Sequence, residues 1–339
     1  MENTVKKILL AVLAAAALAC AFASVRWRSS QWEDVFVMPF RDGEKEASVS
    51  LKIGQSVKSF AEDVRDAGIV TDSGNLLYWL AKNGTDRKLR AGTYSLKSGA
   101  SWKVAERLKT AVPSYSQATI IPGALPQAPL SIGTEQQQTD AISDDGNFPE
   151  GMRKLLPKEP EFRAAFLIPE TYSLVEVSPS ELVKQASASW YARFGKKIDS
   201  ADAARRAAVI ASLLQREAQL DGEYPVIAGV IENRLAKGMA LQIDASVVYA
   251  WYLKHGEKLK RVLYRHLEVD SPYNTYRNAG LPPMPICVPS AAAWEAAVSP
   301  QKNGYYYYVA DGSGGHRFAK DKKTHDKNVR DYRKKTVSR

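Results

Sequence analysis

The sequence has 339 residues, of which 45% are hydrophobic and 25% are charged. This composition favours a folded chain of about two domains and excludes a largely disordered one. The formal net charge of +10 is compatible with an anionic partner. However, the chain lacks zinc-finger, RNA-binding and leucine-zipper spacings, so we predict no nucleic-acid partner.

An apolar segment over residues 8–25 carries two basic residues on each flank. About eighteen apolar residues approach the length of a membrane-spanning helix, and secretory signals have the same layout. We predict an uncleaved anchor in residues 1–28, with a short cytoplasmic stub. Lipidation at Cys20 and cleavage are the alternatives, and all three export the rest of the chain.

Cysteine and histidine residues give no sign of a metal site. The only cysteines are Cys20 and Cys287, and the four histidines are scattered along the chain. Neither a disulfide framework nor a metal-ligand spacing is present in the sequence. We therefore predict neither a disulfide framework nor a metal site.

Strand and helix patterns alternate over residues 35–112 and predict a small α+β domain. The motif L-K-x-G-x-S-x-K occurs twice, starting at Leu51 and at Leu96, which indicates either a duplicated strand-to-helix unit or a coincidence. In chain order the prediction is a strand and a helix over 47–70 with a cap near Ser56, a helix over 73–84, a strand over 91–99 and a helix from 101.

Residues 113–160 are rich in Pro, Gly, Gln, Ser and Asp and are predicted to be a linker or a partly ordered insertion. Residues 161–339 are predicted to form a second, mixed α+β domain. Its predicted elements are an extended segment over 166–174, helices over 178–197 and 200–222, a helix from Pro225, a proline-rich loop over 271–290 and a hairpin over 305–318.

The helix predicted over 200–222 places a carboxylate on its apolar face. Helix positions repeat every 3.6 residues, so Glu217 shares a face with Ile210, Leu214 and Leu220. An ionised carboxylate without a partner is costly in apolar surroundings. Either Glu217 reaches a buried partner or a solvent edge and only organises packing, or it lines a cleft where desolvation raises its pKa. The second property suits a general acid near neutral pH.

Several long motifs in fixed order carry a resemblance to a known family. They are FLIPETYSL from Phe166, VIASLLQREA from Val209, VIENRLAKGMALQIDASVVYA from Val230, SPYNTYRNAGLPPMPICVPS from Ser271 and YYYYVADGSGGHRFAKDKKTHDKNV from Tyr305. Together they closely resemble the endolytic peptidoglycan transglycosylases of the YceG-like family. The resemblance implies an α+β fold, with a LysM-like α/β subdomain over 35–112, a catalytic domain over 161–339 and one N-terminal membrane helix.

The resemblance implies that Glu217 is the catalytic residue. It would act first as acid and then as base, cleaving the bond from N-acetylmuramic acid to N-acetylglucosamine within nascent strands and leaving 1,6-anhydro ends. No metal or cofactor is implied. The polar residues expected to hold the sugars are Gln242, Asp244, Tyr273, Asn274 and Tyr276.

This sequence departs from the family pattern at three positions. The family has an earlier acidic residue where this chain has Gln215, so Glu217 alone is left as the acid. Met284 and Ser290 stand where the family usually has glycine. These two departures concern the geometry of a loop and leave the implied chemistry unchanged.

The resemblance also implies a location and partners. The protein would be a single-pass protein of the bacterial inner membrane with its catalytic domain in the periplasm. Its substrate would be peptidoglycan glycan strands, whose elongation it would limit. Membrane peptidoglycan synthases are the protein partners that this role implies.

Each candidate binding residue also has a purely structural interpretation. Gln242 and Asp244 are two positions apart, as on the solvent-exposed face of a strand. Asn274 is typical of a turn, and the rings of Tyr273 and Tyr276 could pack in the core. A structural role is also expected for other residues of the motifs. Asn233 and Arg234 would bind backbone or carboxylates within the fold. The run Tyr305–Tyr308 would pack both faces of a strand, and His316 would make a structural hydrogen bond.

Two other functions remain open on the sequence. In a muramidase, Asp244 would position a water molecule opposite Glu217. In a non-catalytic wall-binding scaffold, the LysM-like region would hold glycan beside a degenerate C-terminal domain. Product analysis separates these, because anhydro ends, reducing ends and uncut strands are three different outcomes.

Overall fold

A computed structural model describes residues 43–337 of the chain. The anchor predicted in residues 1–28 and the proposed lipidation at Cys20 lie outside the described residues. Across the part that is described, no helix has both the length and the apolar character needed to cross a bilayer. The chain divides into two units, the first ending at Ser116 and the second beginning at Gln117.

The described part of the first unit contains a two-stranded antiparallel sheet and three helices. Ser56 begins the first helix by accepting the backbone N–H of Ser59 on its side chain at 3.1 Å, as its sequence predicts. A small core joins sheet and helices through Phe60, Val64 and Tyr94. The elements are β1 (Glu46–Leu51), α1 (Val57–Asp66), α2 (Ser73–Lys82), β2 (Gly92–Lys97) and α3 (Ser101–Thr110), and β1 pairs with β2.

Residues 113–160 differ from the linker or partly ordered insertion expected from their composition. They contain β3 (Ser116–Thr119), α4 (Glu135–Ser143) and α5 (Glu150–Arg153), and β3 pairs with β4 (Thr171–Leu174). Nine buried apolar side chains of this segment belong to the main core. Those with the least exposure are Ala118, Ile120, Phe148, Met152 and Leu155.

Polar residues explain why this segment resembles a linker in composition. The buried amide of Gln138 accepts the N–H of Leu130 and donates to its carbonyl, both at 3.1 Å. The buried Asn147 donates to the carbonyl of Ala141 at 2.9 Å. These side chains replace the backbone pairing that a regular element would supply, so their polarity is part of a folded structure.

The remainder of the second unit is helical and surrounds a core of large rings. Trp190 and Trp294 lie with ring centroids 5.1 Å apart, and both contact Phe166. The helices are α6 (Pro179–Phe194), α7 (Ala201–Glu217), α8 (Tyr224–Ala236), α9 (Asp244–His255) and α10 (Ala291–Val298). They are followed by the antiparallel hairpin of β5 (Tyr307–Ala310) and β6 (His316–Ala319), and by α11 (Lys322–Val337).

Helix α7 is shorter than its sequence pattern indicates. The Ser200 side chain caps its start by accepting the N–H of Ala203 at 3.3 Å. The helix ends at Glu217, whereas the pattern predicted an end at Gly222. Leu220, which the pattern places on the apolar face, is 50% exposed. Glu217 therefore lies in the last turn, where the unpaired carbonyls of a helix end disfavour negative charge.

Close packing of α8 predicts a large effect of one methyl group. A Cβ added at Gly229 would lie 2.1 Å from the carbonyl oxygen of Gln301, and backbone cannot move aside cheaply. We expect Gly229→Ala to lower the free energy of unfolding by about 1–3 kcal/mol, although Ala otherwise favours a helix. Gly222→Ala is the matched control, because its Cβ would meet nothing within 4 Å. Denaturant titration checks both, and equal stabilities would contradict this packing.

Candidate active site

The Glu217 carboxyl group is held from one side by a tyrosine. Tyr308, on β5, donates its hydroxyl to Oε1 of Glu217 at 3.0 Å. The Glu217 side chain is half-buried. Its second oxygen makes no hydrogen bond with the described residues, so that oxygen is left to meet a ligand.

The surroundings raise the pKa of Glu217 above the ordinary value for a glutamate. Burial of the carboxyl group is the largest cause, and the negative charge of Asp244 adds to it. The Tyr308 hydrogen bond and the charges of His316 and Arg234 act in the opposite direction but do not outweigh burial. The protonated acid therefore persists to a higher pH than in a solvated glutamate.

A second carboxylate is bound by a second tyrosine nearby. Tyr276 donates its hydroxyl to Oδ1 of Asp244 at 2.6 Å, and Asp244 is the first residue of α9. Burial, followed by the bond to Asp244 and the charges of Asp244 and Glu217, raises the pKa of Tyr276, so it stays a hydroxyl donor. We call Glu217, Tyr308, Asp244 and Tyr276 the acid cluster.

Gln242 does not lie on a strand, so the strand interpretation of Gln242 and Asp244 is wrong. Gln242 has φ of 52° and is the single non-glycine residue with positive φ in the described part of the chain. A left-handed residue of this kind costs about 1–2 kcal/mol. Its N–H donates to the carbonyl of Thr275 at 3.1 Å, and the N–H of Ile243 donates to the Thr275 hydroxyl at 2.9 Å. These two hydrogen bonds to Thr275 hold Gln242 in its strained left-handed conformation. The Gln242 side chain is exposed.

Arg234 joins the two walls of the site through backbone contacts. Its buried guanidinium donates to the carbonyl of Tyr306 at 2.6 Å and to that of Leu241 at 2.6 Å. The neighbouring Asn233 donates to the carbonyls of Asn303 and Tyr305 at 3.0 and 2.9 Å. Both residues bind backbone, as expected from the sequence.

Tyr273 and Asn274 are not brought to the acid cluster as sugar-binding groups. The Tyr273 ring is buried edge-on against Tyr249, with centroids 5.0 Å apart. Asn274 is fully buried and donates to the carbonyls of Leu267 and Val269. Its Oδ1 also accepts the N–H of Tyr276 at 3.0 Å. Asn274 is therefore a turn residue that positions Tyr276, and Tyr273 is a core ring.

His316 makes the structural hydrogen bond expected for it. Its Nδ1 lies 2.6 Å from the carboxylate of Glu223, which also accepts the His316 backbone N–H at 2.8 Å. The ring packs edge-on against Tyr308 with centroids 5.3 Å apart. Glu223 and His316 thus hold the hairpin that carries Tyr308.

Tyr308 is the site residue that the sequence did not identify. Tyr306 and Tyr308 alternate with Tyr305 and Tyr307, which places the two pairs on opposite faces of a strand. Nothing local says which face meets Glu217, because the two residues are 91 positions apart. Within residues 43–337, no group of three or more His, Cys, Asp or Glu side chains is arranged to hold a metal.

Two departures from the family pattern contact each other. The side-chain Oε1 of Gln215 accepts the backbone N–H of Ser290 at 2.8 Å. The Ser290 side chain in turn caps α10 by accepting the N–H of Ala293 at 3.2 Å. Gln215 thus has a structural partner of its own, away from the acid cluster.

Comparison with known proteins agrees with this architecture. A family model described as the YceG-like family matches residues 49–331. The chain is 30% identical over 312 residues to an endolytic murein transglycosylase of Bacillus subtilis, with 85% of each chain covered. It is 27% identical over 329 residues to an endolytic murein transglycosylase of Streptococcus pneumoniae, covering 86% of this chain and 59% of that protein.

A solved structure supports the same assignment. The crystal structure of a yceG-like protein from Listeria monocytogenes matches with a TM-score of 0.50 and 25% identity. The match covers 84% of this chain and 99% of that one. Because the family model spans most of the sequence and the Bacillus relative aligns over most of its length, the chain belongs to the YceG-like family.

Proposed function

We propose that the chain is a murein lytic transglycosylase that cuts glycan strands internally, with Glu217 as its single acid and base. The observation that carries this proposal is the half-buried Glu217, whose raised pKa favours the protonated form and whose second oxygen is unbonded within the described part. The names of the Bacillus and Streptococcus relatives support the same activity.

In the proposed reaction, Glu217 donates one proton to the substrate and then takes one back. Protonated Glu217 gives its proton to the glycosidic oxygen as the bond from C1 of N-acetylmuramic acid breaks, which releases N-acetylglucosamine with a hydroxyl group. The carboxylate then removes the proton from the muramyl 6-hydroxyl, and that oxygen closes on C1. The products are a 1,6-anhydro end and a regenerated acid, and no water is consumed.

The rest of the acid cluster supports this chemistry. The exposed carboxylate of Asp244 is a fixed negative charge that would stabilise the oxocarbenium-like transition state. Tyr276 fixes its orientation by donating at 2.6 Å. Gln242, two residues before Asp244, presents an exposed side chain and is assigned to sugar binding, whereas Asn274 positions Tyr276 and Tyr273 is a core ring.

Cleavage in H₂¹⁸O tests the reaction directly. We expect mass spectrometry of digested sacculi to find new 1,6-anhydromuramyl ends without ¹⁸O, because the 6-hydroxyl and not water attacks C1. Reducing ends that carry ¹⁸O would establish the muramidase alternative, in which Asp244 positions water. Intact strands that bind the protein would favour the wall-binding scaffold.

The Tyr308 hydroxyl is expected to set the alkaline limit of activity. Its bond lowers the pKa of Glu217, so Tyr308→Phe raises that pKa further. The acid then stays protonated to a higher pH, and the alkaline limb of the kcat/KM profile moves to higher pH. Tyr307→Phe is the control, because Tyr307 belongs to the same strand without this bond. An alkaline limb that stays in place or moves to lower pH would contradict the assignment of Glu217 as the acid.

Location and domain roles complete the proposal. Residues 1–28 act as a single inner-membrane anchor, which keeps the catalytic unit in the periplasm near nascent strands and membrane synthases. The order of β1, α1, α2 and β2 supports a LysM-like role for residues 35–112 in holding glycan. Together they limit how far along a strand the enzyme reaches, and thus strand length.

A further inference from the structure

A small recess lies in the second unit, and two of its lining residues directly adjoin members of the acid cluster in the sequence. Its volume is about 170 Å³. Pockets for whole drug-sized ligands start at about 300 Å³, so this recess suits a single amino-acid-sized group and not a disaccharide. The lining residues that matter are Gly123, Leu125, Arg216, Ala245, Tyr252 and Lys258.

Two helices are shared between the recess and the acid cluster. Arg216 directly precedes Glu217 at the end of α7, and Ala245 directly follows Asp244 at the start of α9. Adjacent residues lie about 3.8 Å apart between Cα atoms, so a group attached to a sugar bound between Glu217 and Asp244 can reach the recess through a tether of a few residues.

The recess carries positive charge that no described residue balances. Arg216 and Lys258 are both exposed, and neither makes a hydrogen bond or ion pair with the described residues. The Arg216 guanidinium lies 3.4 Å from the position of a Cβ at Gly123. Gly123 has φ of 79°, and its N–H donates to the carbonyl of Val288 at 2.8 Å. This turn therefore leaves the guanidinium uncovered by a side chain.

We propose that the recess binds a carboxylate of the peptide carried by the muramyl residue at the cut. Murein peptides are attached to the lactyl groups of the glycan and carry free carboxylates, and two cations that line one recess suit such a group. The rings and alkyl groups of Tyr252 and Leu125 suit the peptide's aliphatic side chains. This assignment rests on the proposed function, because it takes murein as the substrate.

Binding to the uncleaving Glu217→Gln protein tests the recess apart from catalysis. Calorimetry compares glycan fragments with and without stem peptides. We expect Arg216→Gln combined with Lys258→Gln to weaken binding of the peptide-bearing fragment by about five- to twentyfold and to change that of the peptide-free fragment by less than about twofold. Lys260→Gln, an exposed lysine outside the recess lining, is the matched control and is expected to change neither.

Each result decides the question. Equal affinities of the double variant and its parent for the peptide-bearing fragment overturn the proposal, and so does equal weakening for both fragments, which would assign the recess to sugar. Absence of binding by the parent overturns it as well. The double variant could lose affinity for the peptide-bearing fragment alone while the wild-type protein forms no anhydro products. That outcome would contradict the catalytic proposal and leave the recess proposal standing, because the binding measurement does not require cleavage. Melting temperatures of all variants verify folding.

Discussion

Replacing Glu217 with glutamine is expected to abolish strand cleavage. The amide is nearly isosteric and its oxygen still accepts the hydrogen bond that Tyr308 donates at 3.0 Å to the wild-type carboxyl. It cannot give a proton to the leaving oxygen or take one from the 6-hydroxyl. Because the proposed mechanism assigns both transfers to this residue, we expect the rate of anhydro-end formation to fall by at least about 10³-fold. Mass spectrometry of time-course digests measures the loss.

A matched amide substitution separates chemistry from folding. Glu232→Gln removes a carboxylate from α8 that pairs with Arg206 at the surface, and it is expected to keep activity within about twofold. A Glu217→Gln protein that still forms anhydro ends at near the wild-type rate would show that another group supplies the proton.

Stability gives an independent readout of the same carboxyl group. The pKa of Glu217 is raised in the folded state, so the folded protein binds more protons than the unfolded chain between the two pKa values. Stability of the wild-type protein therefore falls as the pH rises from the ordinary carboxyl pKa through the raised one. The glutamine variant lacks this loss, and above that window it should melt at a temperature no lower than the wild type.

Helical periodicity was sufficient to single out Glu217 as a carboxylate in apolar surroundings, because a carboxylate among Ile210, Leu213 and Leu214 is a local conflict that short-range spacing reveals. The same reasoning misplaced the end of the helix. Leu220 continues the 3.6-residue pattern in the sequence, but the chain turns at Ala218 into an extended conformation. Where a helix ends depends on competing contacts that the pattern does not contain.

Long-range contacts account for what sequence reasoning could not supply. Thr275 holds the backbone of Gln242 and Ile243 across more than thirty positions, and this contact permits the left-handed Gln242. Such a residue has no signal in a single sequence unless it is glycine or asparagine. In the same way, Asn274 and Tyr276 belong to one motif, yet only the tertiary structure separates the turn residue from the one that meets Asp244.

Arg234→Met is expected to be the most destabilising single substitution near the site. The guanidinium is buried and donates to three carbonyls, those of Tyr306, Ala240 and Leu241. Methionine fills similar volume but leaves these acceptors without their donor. At about 1 kcal/mol or more for each of the three unsatisfied buried acceptors, we expect the free energy of unfolding to fall by at least about 3 kcal/mol. Denaturant titration measures it.

The activity of this variant shows whether Arg234 acts only through packing. Its positive charge lowers the pKa of Glu217, so its loss should move the alkaline limb of the pH–rate profile to higher pH in the fraction that folds. Arg206→Met, which removes an exposed arginine paired with Glu232, should cost less than about 1 kcal/mol and leave the profile in place. Equal stability of Arg234→Met and Arg206→Met would contradict this prediction. Other contacts would then join the segments that carry Tyr308 and Gln242, and the geometry of the acid cluster would not depend on the Arg234 guanidinium.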